Sequence, residues 1–252
     1  MIELVNTDNL SYLHEQPADS YDMVITSPPY NLSIDYDVYQ DNLEPEQYLD
    51  QIFRVLAESY RCLKPGGRMA INVMPNTQQQ LPTHSRITNY LESLGAIWFT
   101  EIIWDKGGVP RWAPRGTYGS AVKPWFQHSF EYIVVVAKES LRRTATGPGD
   151  LTNEQYTEWT RPLWRIQPEI RMQDQGHPAM FPTELVTRLM RLFSFVDDHI
   201  LDPWGGVGTT AAVGQELGRR VTSIEISEQY HQTAVRRLKN QQQWQHLFET
   251  EE

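Results

Sequence analysis

The sequence predicts an α/β protein with a mostly parallel central sheet and helices on both faces. Three observations predict this class. Short β-rich runs alternate with amphipathic helical runs over the first hundred residues, a second series of strand, helix and strand follows residue 182, and turn residues separate these runs. The length of 252 residues suits one core of this kind. We expect a single domain over 1–252, with two irregular segments inserted at 105–129 and 139–176.

The first half of the chain supplies five predicted strands and two predicted helices. The strands are expected at 2–6, 22–26, 68–73, 97–104 and 130–137, which are mainly apolar and β-rich. The first helix begins at Pro45 and carries an apolar face from Leu49 to Leu63, and the Lys-Pro-Gly-Gly run at 64–67 ends it. A weaker helical pattern covers 85–94.

The second half repeats the alternation of helix and strand. A helix is predicted from Thr183, a strand at 199–201, a helix that ends near Leu217, a strand at 221–224 and a last helix that contains Tyr230. Because parallel strands need helical crossovers between them, we expect these strands to extend the same parallel sheet.

Composition excludes several function classes. No window approaches 18 uninterrupted apolar residues, and no basic stretch followed by an apolar run begins the chain, so we expect a cytoplasmic protein without a membrane segment. Cys62 is the only cysteine, which excludes disulfides and cysteine-based zinc sites. Its apolar helical surroundings predict a buried, inert thiol. We predict no metal site.

The charge is distributed unevenly along the chain. The net charge of −10 argues against a nucleic-acid partner, but residues 1–60 hold twelve acidic side chains against Arg54 alone. Between residues 104 and 143 seven basic side chains face three acidic ones. A basic segment within an acidic protein is typical of a focused phosphate contact, although an ordinary solvated face would also fit.

The stretch Thr26-Ser27-Pro28-Pro29-Tyr30 closes a predicted strand and opens a polar loop. Consecutive prolines lack N–H donors and leave neighbouring carbonyls free to accept hydrogen bonds. The Ser27 oxygen, the Pro28 carbonyl and the face of Tyr30 together describe a slot for a flat ring that carries an amine. A strand end with a rigid turn is the alternative.

A second motif runs from Asp202 to Thr210. Strand, Gly-x-Gly loop, helix, strand and acid form the arrangement that binds nucleotide-like ligands, and Gly206, Gly208 and Glu225 fit it. A phosphate loop is excluded because no lysine follows Gly208. The loop begins with Asp202, which suits an amino group. S-adenosylmethionine carries an α-ammonium, a ribose diol and a sulfonium, for which Asp202, Glu225 and the face of Trp204 are candidates.

The two motifs together resemble those of the DNA amino-methyltransferases. Asp-Pro-Trp-Gly-Gly-Val-Gly-Thr-Thr at 202–210 is similar to their cofactor motif, and Thr-Ser-Pro-Pro-Tyr at 26–30 is similar to their catalytic motif. The order, catalytic motif first, is that of the β group. His177-Pro178 resembles the family's segment before the cofactor helix. Departures are Trp204 for Phe and Val207 for Ser, with Ala179 and Phe181 where Thr and Lys are usual.

This resemblance implies a circularly permuted Rossmann-like methyltransferase fold that uses S-adenosylmethionine. The implied cofactor-binding residues are Asp8, Asp202, Pro203, Trp204, Gly206, Gly208, Thr209, Thr210 and Glu225, and the implied catalytic residues are Ser27, Pro28, Pro29 and Tyr30. The strand that ends at Asp202 is expected beside the strand that ends at Thr26, so that donor and acceptor meet in one crevice. Asp8 is expected to reach the adenine amine of the cofactor.

The implied partner is double-stranded DNA, with the target base flipped out of the helix. We expect the two irregular segments to be target-recognition segments, with Lys106, Arg111, Trp112, Arg115, Lys123, Arg161 and Arg165 as DNA-binding residues. Packing of the tryptophans of these segments on each other is the alternative. A homodimer and a cognate restriction endonuclease remain open, and the implied setting is the prokaryotic cytoplasm, at the nucleoid.

Ser27 comes directly before the Pro-Pro-Tyr part of the catalytic motif. In this family a serine at that position goes more often with cytosine, whereas aspartate goes with adenine. We therefore expect methylation of cytosine N4, with adenine N6 as the alternative. An RNA or protein-glutamine methyltransferase and a non-catalytic DNA-binding relative fit less well, because the motif order is permuted and the catalytic motif is intact. Cys62 lies between Arg61 and Leu63 and does not match the Pro-Cys nucleophile of cytosine C5 enzymes.

Overall fold

In the described residues, eight strands form one sheet in the order β1-β8-β7-β2-β3-β5-β4-β6. The computed structural model describes residues 1–32, 37–39, 41–108, 117, 119–124, 126, 128–169 and 181–249, the last eight by their backbone alone. The strands are β1 (Ile2–Asn6), β2 (Tyr21–Thr26), β3 (Leu63–Val73), β4 (Ala96–Asp105), β5 (Phe130–Lys138), β6 (Leu163–Arg165), β7 (His199–Asp202) and β8 (Arg220–Glu225). The helices are α1 (Asn9–Glu15), α2 (Pro45–Cys62), α3 (Thr83–Ser93), α4 (Asn153–Trp159), α5 (Thr183–Phe193), α6 (Thr209–Glu216) and α7 (Glu228–Glu249).

The centre of the sheet joins the two halves of the chain. β2 runs parallel to β7, with Met23 opposite Ile200 and Val24 opposite Leu201. β7 is parallel to β8, and β8 is parallel to β1. Because these strands are parallel, Thr26, Asp202 and Glu225 all end strands at the same edge of the sheet. The expected juxtaposition of the two motif-bearing strands is therefore confirmed.

One part of the sheet differs from the expected parallel order. β5 lies between β3 and β4 and is antiparallel to both. No helix is described between β4 and β5, and a strand that returns without a crossover helix pairs in the antiparallel sense. β4 and β6 are parallel to each other, and the two antiparallel steps point them the same way as β3. Their carboxyl ends, Asp105 and Arg165, thus share the edge that carries the two motifs.

Helices cover both faces of the sheet, as predicted. Alternate residues of a strand point to opposite faces, so Met23 and Ile25 belong to one apolar cluster and Val24 to the other. Helices α1, α2 and α3 pack on the Val24 face, and α5, α6 and α7 supply apolar side chains to the opposite face. Cys62 is buried in the first cluster, and burial raises the pKa of its thiol, in line with the predicted inert role.

Three elements were not predicted from the sequence. They are α1, α4 and the edge strand β6. Helix α1 is short and capped by Asp8, and α4 is a seven-residue helix closed by a capping box at Thr152. Pieces this short give too few turns for a helical period to be detected. Within the described residues, no helix combines the length and apolarity that a bilayer crossing requires.

Two tryptophans of the second irregular segment are joined by a hydrogen bond and share an arginine partner. Trp164 is buried in the core, and its indole N–H donates to the Trp159 carbonyl at 3.0 Å. The Arg188 guanidinium lies over both rings, at 5.3 and 5.6 Å from their centres. Trp164 therefore cannot stack on an exposed base, because its ring is closed off from any ligand.

Candidate active site

Both motifs open into one cavity at the carboxyl edge of the sheet. Its volume is about 620 Å³, within the range of small-molecule sites. Trp204 from the second motif and Tyr30 from the first both line it. Ser27, Asp202 and Glu225 line it as well. The sheet thus brings together residues that lie about 175 positions apart in the chain, because β2 and β7 are neighbours.

The polypeptide after β2 is held in place by its neighbours. The Tyr48 hydroxyl on α2 donates to the Pro29 carbonyl at 2.8 Å. Asn31 has a φ of 56°, in the left-handed region, and its side chain exchanges hydrogen bonds with the backbone of Leu43. Asparagine tolerates this conformation better than most residues. These contacts fix the direction in which Ser27 and Tyr30 enter the cavity, and they occupy the Pro29 carbonyl.

A polar network lies beneath the catalytic motif. The Ser27 oxygen is 2.9 Å from the Tyr30 hydroxyl, which donates to Glu131 Oε2 at 2.8 Å. Asn72 Nδ2 donates to the Tyr30 oxygen and to Glu131. Lys106 Nζ forms an ion pair with the other oxygen of Glu131. Glu131 is only 4% exposed, so its charge depends on these partners rather than on water.

Asp202 is fully buried at the end of β7. Thr26 and Thr210 donate to its two oxygens at 3.0 and 2.6 Å, and the Trp204 N–H donates at 3.2 Å. Burial raises the pKa of the Asp202 carboxyl to about 6, and these hydrogen bonds oppose the increase. The carboxylate is therefore held in one orientation at a cost in desolvation that a cationic ligand would offset.

Glu225 ends β8, the strand beside β7, and lines the same cavity. Its two oxygens accept hydrogen bonds from the Gly206 and Ser227 N–H groups, both at 2.8 Å. Burial raises its pKa as well. Asp8 lines the same region, and its Oδ1 caps α1 by accepting from the Ser11 N–H and hydroxyl. Each acid keeps lone pairs that these bonds do not use.

The glycine loop connects Asp202 to helix α6. Gly206 and Gly208 have φ values of 52° and 78°, a region that side chains rarely adopt. Thr209 and Thr210 begin α6 and line the cavity with Gly206. Pro203 and Gly208 are buried behind them, and the Pro203 carbonyl accepts from the Asn9 amide. At Gly206, Thr209 and Thr210 the loop and the start of α6 therefore present backbone and hydroxyl groups to a ligand, and Trp204 adds its ring.

The chemistry of these groups fits S-adenosylmethionine. Among the described residues, no lysine or arginine is an ion-pair partner of Asp202 or Glu225, so the buried Asp202 and the partly buried Glu225 share one cavity without a cation bonded to either. Such a pair suits a ligand with an ammonium group and a diol. The Trp204 ring supplies an aromatic face in the same space.

The predicted DNA-binding residues are scattered. Lys106 lines the cavity, and Arg165 lies at the same sheet edge, where it pairs with Asp105 and stays 76% exposed. Arg161 precedes the opposite end of β6 and is not among the residues that line the cavity. Lys123 is exposed, in a turn that pairs it with Thr117. Arg111, Trp112, Arg115 and the His177-Pro178 segment lie outside the described residues.

Sequence analysis missed Tyr48, Asn72 and Glu131. Glu131 interrupts the apolar run of β5, and Asn72 interrupts that of β3, so each had a weak signal as a polar residue in a buried strand. Tyr48 sits on the apolar face of α2 and looks like an ordinary core residue. Their association with the catalytic motif depends on strand order, which their local sequence does not encode.

Comparison with known proteins identifies similar chains. The sequence model of a DNA methylase family matches residues 21–236. The type II methyltransferase M.MjaVI of Methanocaldococcus jannaschii is 33% identical over 174 residues, which is 68% of this chain and 89% of that protein. The DNA adenine methyltransferase YhdJ of Escherichia coli K12 is 28% identical over 251 residues, 93% of this chain and 82% of that one.

A solved structure resembles the whole chain. It is a protein of Thermus thermophilus, described as a DNA modification methylase and complexed with S-adenosyl-L-methionine. The TM-score is 0.75 with 29% identity, and the match covers 96% of this chain and 94% of the other. The described fold is thus one that other chains of similar length adopt almost in full.

Proposed function

The chain belongs to the DNA methylase family whose members modify exocyclic amines at N6 or N4, and we propose that it methylates cytosine N4 in double-stranded DNA. The observation that carries this proposal is the single cavity that Asp202, Glu225, Ser27 and Tyr30 line together. A methyl donor on one wall and an amine on the other can meet only if both motifs share one space. Proximity and electrostatics would then supply the rate.

S-adenosylmethionine is the methyl donor, and when bound it supplies an electrophilic methyl group on a sulfonium sulfur. In our proposal Asp202 accepts hydrogen bonds from its ammonium group and Glu225 accepts them from its ribose diol. Asp8 is assigned to the adenine amine. Trp204 covers the ligand with its ring. The four side chains reach the cavity from β7, β8, the turn after β1 and the glycine loop.

The acceptor side of the proposal concerns Ser27, Pro28 and Tyr30. The lone pair of a cytosine amine is delocalised into the ring, so the nitrogen is a poor nucleophile. Ser27 and the Pro28 carbonyl would accept hydrogen bonds from the two N–H groups of the amine. These bonds would localise the lone pair on the nitrogen as the nitrogen attacks the methyl group. The ring of Tyr30 would stack on the flipped base and recover part of the unstacking cost, which is on the order of a few kcal/mol.

Cytosine N4 is favoured over adenine N6 because Ser27 has a neutral hydroxyl. In the family pattern, enzymes that methylate adenine have an aspartate at this position. A specific observation supports the second candidate. YhdJ, which is 28% identical over nearly the whole chain, carries the name of an adenine methyltransferase. Both candidates use the same slot and the same donor, so only the modified nucleoside distinguishes them.

Contacts to the DNA backbone are proposed for Lys106, Lys123 and Arg165, and for Arg111, Trp112, Arg115 and Arg161 on sequence grounds alone. The segments 105–129 and 139–176 are proposed to surround the target as inserts in a single catalytic domain. We propose the prokaryotic cytoplasm, at the nucleoid, as its location, because chromosomal DNA would be the substrate. A homodimer and a cognate restriction endonuclease are tested by light scattering and by co-purification.

The central experiment transfers labelled methyl groups from S-adenosylmethionine to duplex DNA, RNA and protein in parallel. Digestion of the product DNA and mass spectrometry then identify the nucleoside. N4-methylcytosine in DNA supports the proposal. N6-methyladenine as the only product replaces cytosine with the second candidate, and label confined to RNA or protein overturns both.

Ser27→Ala tests the acceptor side of the site. We expect methylation to fall by about 10² to 10³, the usual effect of losing one positioned hydrogen-bond partner. Cofactor affinity should change little, since Ser27 bonds to Tyr30 and Asn72 and has no hydrogen bond to the cofactor loop. Ser93→Ala, which removes an exposed hydroxyl at the end of α3, is the matched control. Full activity of Ser27→Ala would remove this residue from the mechanism.

A further inference from the structure

Glu131 is a buried carboxylate that the proposed methyl transfer does not yet use. It is the second residue of β5 and lies opposite Trp104 in the sheet. Although it is 4% exposed, it lines the cavity that holds both motifs. Burial of a carboxylate in that position is costly unless ionic or hydrogen-bond partners replace the lost water.

A continuous line of hydroxyl groups joins Glu131 to the proposed acceptor. The Ser27 oxygen lies 2.9 Å from the Tyr30 oxygen, and the Tyr30 hydroxyl donates to Glu131 Oε2 at 2.8 Å. The Ser27 hydroxyl has a second acceptor in reach, the Asn72 carbonyl at 3.1 Å. Rotation about its Cβ–Oγ bond therefore directs the serine proton either to the backbone or to Tyr30.

Asn72 orients this line. Its Nδ2 donates to the Tyr30 oxygen at 2.7 Å and also donates to Glu131. The Tyr30 oxygen accepts a hydrogen bond from Asn72, and its hydroxyl donates one to Glu131. The same oxygen can also accept a hydrogen bond from the Ser27 hydroxyl. The hydrogen bonds thus polarise in one direction, from the cavity towards the carboxylate.

We propose that Ser27, Tyr30 and Glu131 form a proton relay that removes the proton released by the target amine, with Glu131 as its terminal acceptor. This inference rests on the proposed amine methylation. It assigns Tyr30 a task beyond stacking, because its ring faces the base while its hydroxyl carries a proton. Glu131 does not touch the amine itself. It acts through Tyr30, because it holds the Tyr30 hydroxyl in place and accepts the proton that this hydroxyl passes on.

Atoms and charges balance in this transfer. The nitrogen–carbon bond to the methyl group forms as the sulfur–carbon bond breaks, and the positive charge moves from sulfur to the amine. The amine gives one proton to the Ser27 oxygen, Ser27 gives its own to the Tyr30 oxygen, and Tyr30 gives its own to Glu131. Both hydroxyls end as they began. Glu131 becomes neutral and returns the proton to solvent through the cavity.

Lys106 completes the arrangement. Its ammonium pairs with Glu131 Oε1 and lies 4.8 Å from the centre of the Trp104 ring. The pair leaves Oε2 for Tyr30 and Asn72, so the two oxygens have separate tasks. The charged side chains that share the cavity with Glu131 are Asp8, Arg54, Lys106, Glu169, Asp202 and Glu225.

Three variants test the relay in single-turnover methylation with cofactor and DNA prebound. Glu131→Gln removes the charge and keeps the shape, and Tyr30→Phe removes the hydroxyl and keeps the ring. Each should slow methyl transfer by about 10² to 10⁴, the range for general base catalysis. Cofactor affinity should stay within about threefold, because no cofactor-loop residue contacts Glu131. The double variant should be no slower than the slower single variant, since both changes cut one line.

Chemical rescue separates proton acceptance from simple packing. Glu131→Ala leaves a space that opens on the cavity. Added formate should raise the methylation rate of this variant at least about tenfold, which is within the range that general base catalysis supplies. Formamide has nearly the same shape without the charge and should restore none. Glu101→Gln, on the neighbouring strand β4 and away from the cavity, is the matched control and should match the wild-type rate.

Each possible outcome supports or overturns the relay. A Glu131→Gln rate within about threefold of wild type, multiplied losses in the double variant, or equal rescue by formamide overturns it. Wild-type protein that leaves DNA amines unmodified overturns the proposed function instead, so the two failures are distinguishable.

Discussion

Asp202→Asn should stabilise the free protein and weaken its binding of S-adenosylmethionine. The pKa of Asp202 is raised from 3.8 to about 6 because the carboxylate is buried. An acid whose pKa rises on folding binds its proton more tightly in the native state. Its contribution to stability is therefore complete below about pH 3.8 and is lost as the pH rises through about 6.

The magnitude follows from the shift. The rise in the pKa of Asp202 from 3.8 to about 6 corresponds to about 3 kcal/mol of unfolding free energy at neutral pH. Roughly half of that loss falls between pH 5 and pH 7.5. Asparagine has no charge to desolvate, can accept from one of the two threonines that bond to Asp202 and can donate to the other. We expect Asp202→Asn to raise the unfolding free energy at pH 7.5 by up to about 3 kcal/mol, or about 6 to 12 °C in Tm.

The assay is urea denaturation at pH 5 and pH 7.5, with cofactor binding by calorimetry at pH 7.5. Cofactor affinity of Asp202→Asn should fall by about 10- to 100-fold, the value of one charge-assisted hydrogen bond. The control is Asp50→Asn, which breaks an exposed ion pair with Arg54 and should change the unfolding free energy by less than about 1 kcal/mol. The reasoning is refuted if Asp202→Asn is less stable than wild type at pH 7.5 and the difference between them does not depend on pH.

Three further changes test other parts of the site. Glu225→Gln keeps an acceptor for the backbone but removes a charge, so the cofactor Kd should rise about 5- to 30-fold, as measured by calorimetry; an unchanged Kd would exclude its role. Gly208→Ala should cost about 1 to 3 kcal/mol in denaturation experiments, because φ is 78° and the new Cβ would lie 2.8 Å from that of Ala234; wild-type stability would contradict the described loop. Tyr48→Phe frees the Pro29 carbonyl and should slow single-turnover methylation several-fold, for a lost hydrogen bond of about 1 kcal/mol, without changing cofactor affinity; a change in affinity alone would contradict this.

Much of the architecture could be predicted from the sequence because the signals were local. Apolar patterns located β2, α2 and α5 within a few residues of their observed bounds, whereas β3 begins at Leu63, five residues before its predicted start, and includes the Lys-Pro-Gly-Gly run. The two motifs, each a strand followed by a loop, predicted which ends of the sheet carry polar groups. Parallel pairing of β2 with β7 then followed from the permuted motif order, and the structure confirms it.

The direction of β5 could not be predicted in the same way. Its run of β-branched residues indicates a buried strand, but it does not indicate the direction of that strand or which strands lie beside it in the sheet. The structure inserts it antiparallel between β3 and β4. That placement brings Glu131 to Tyr30, which lies 101 residues earlier in the chain.

The sequence by itself determined the chemical groups of the site: a hydroxyl and an aromatic ring after one strand, and acids and glycines after two others. Only the tertiary structure decided their environment. Asp202 is a buried carboxylate with a raised pKa because Thr26, Thr210 and the sheet surround it, and Glu131 joins the site because strand order places it there. The physical reason is that local sequence sets the conformation of a segment, whereas burial and hydrogen-bond partners depend on which distant segments pack against it.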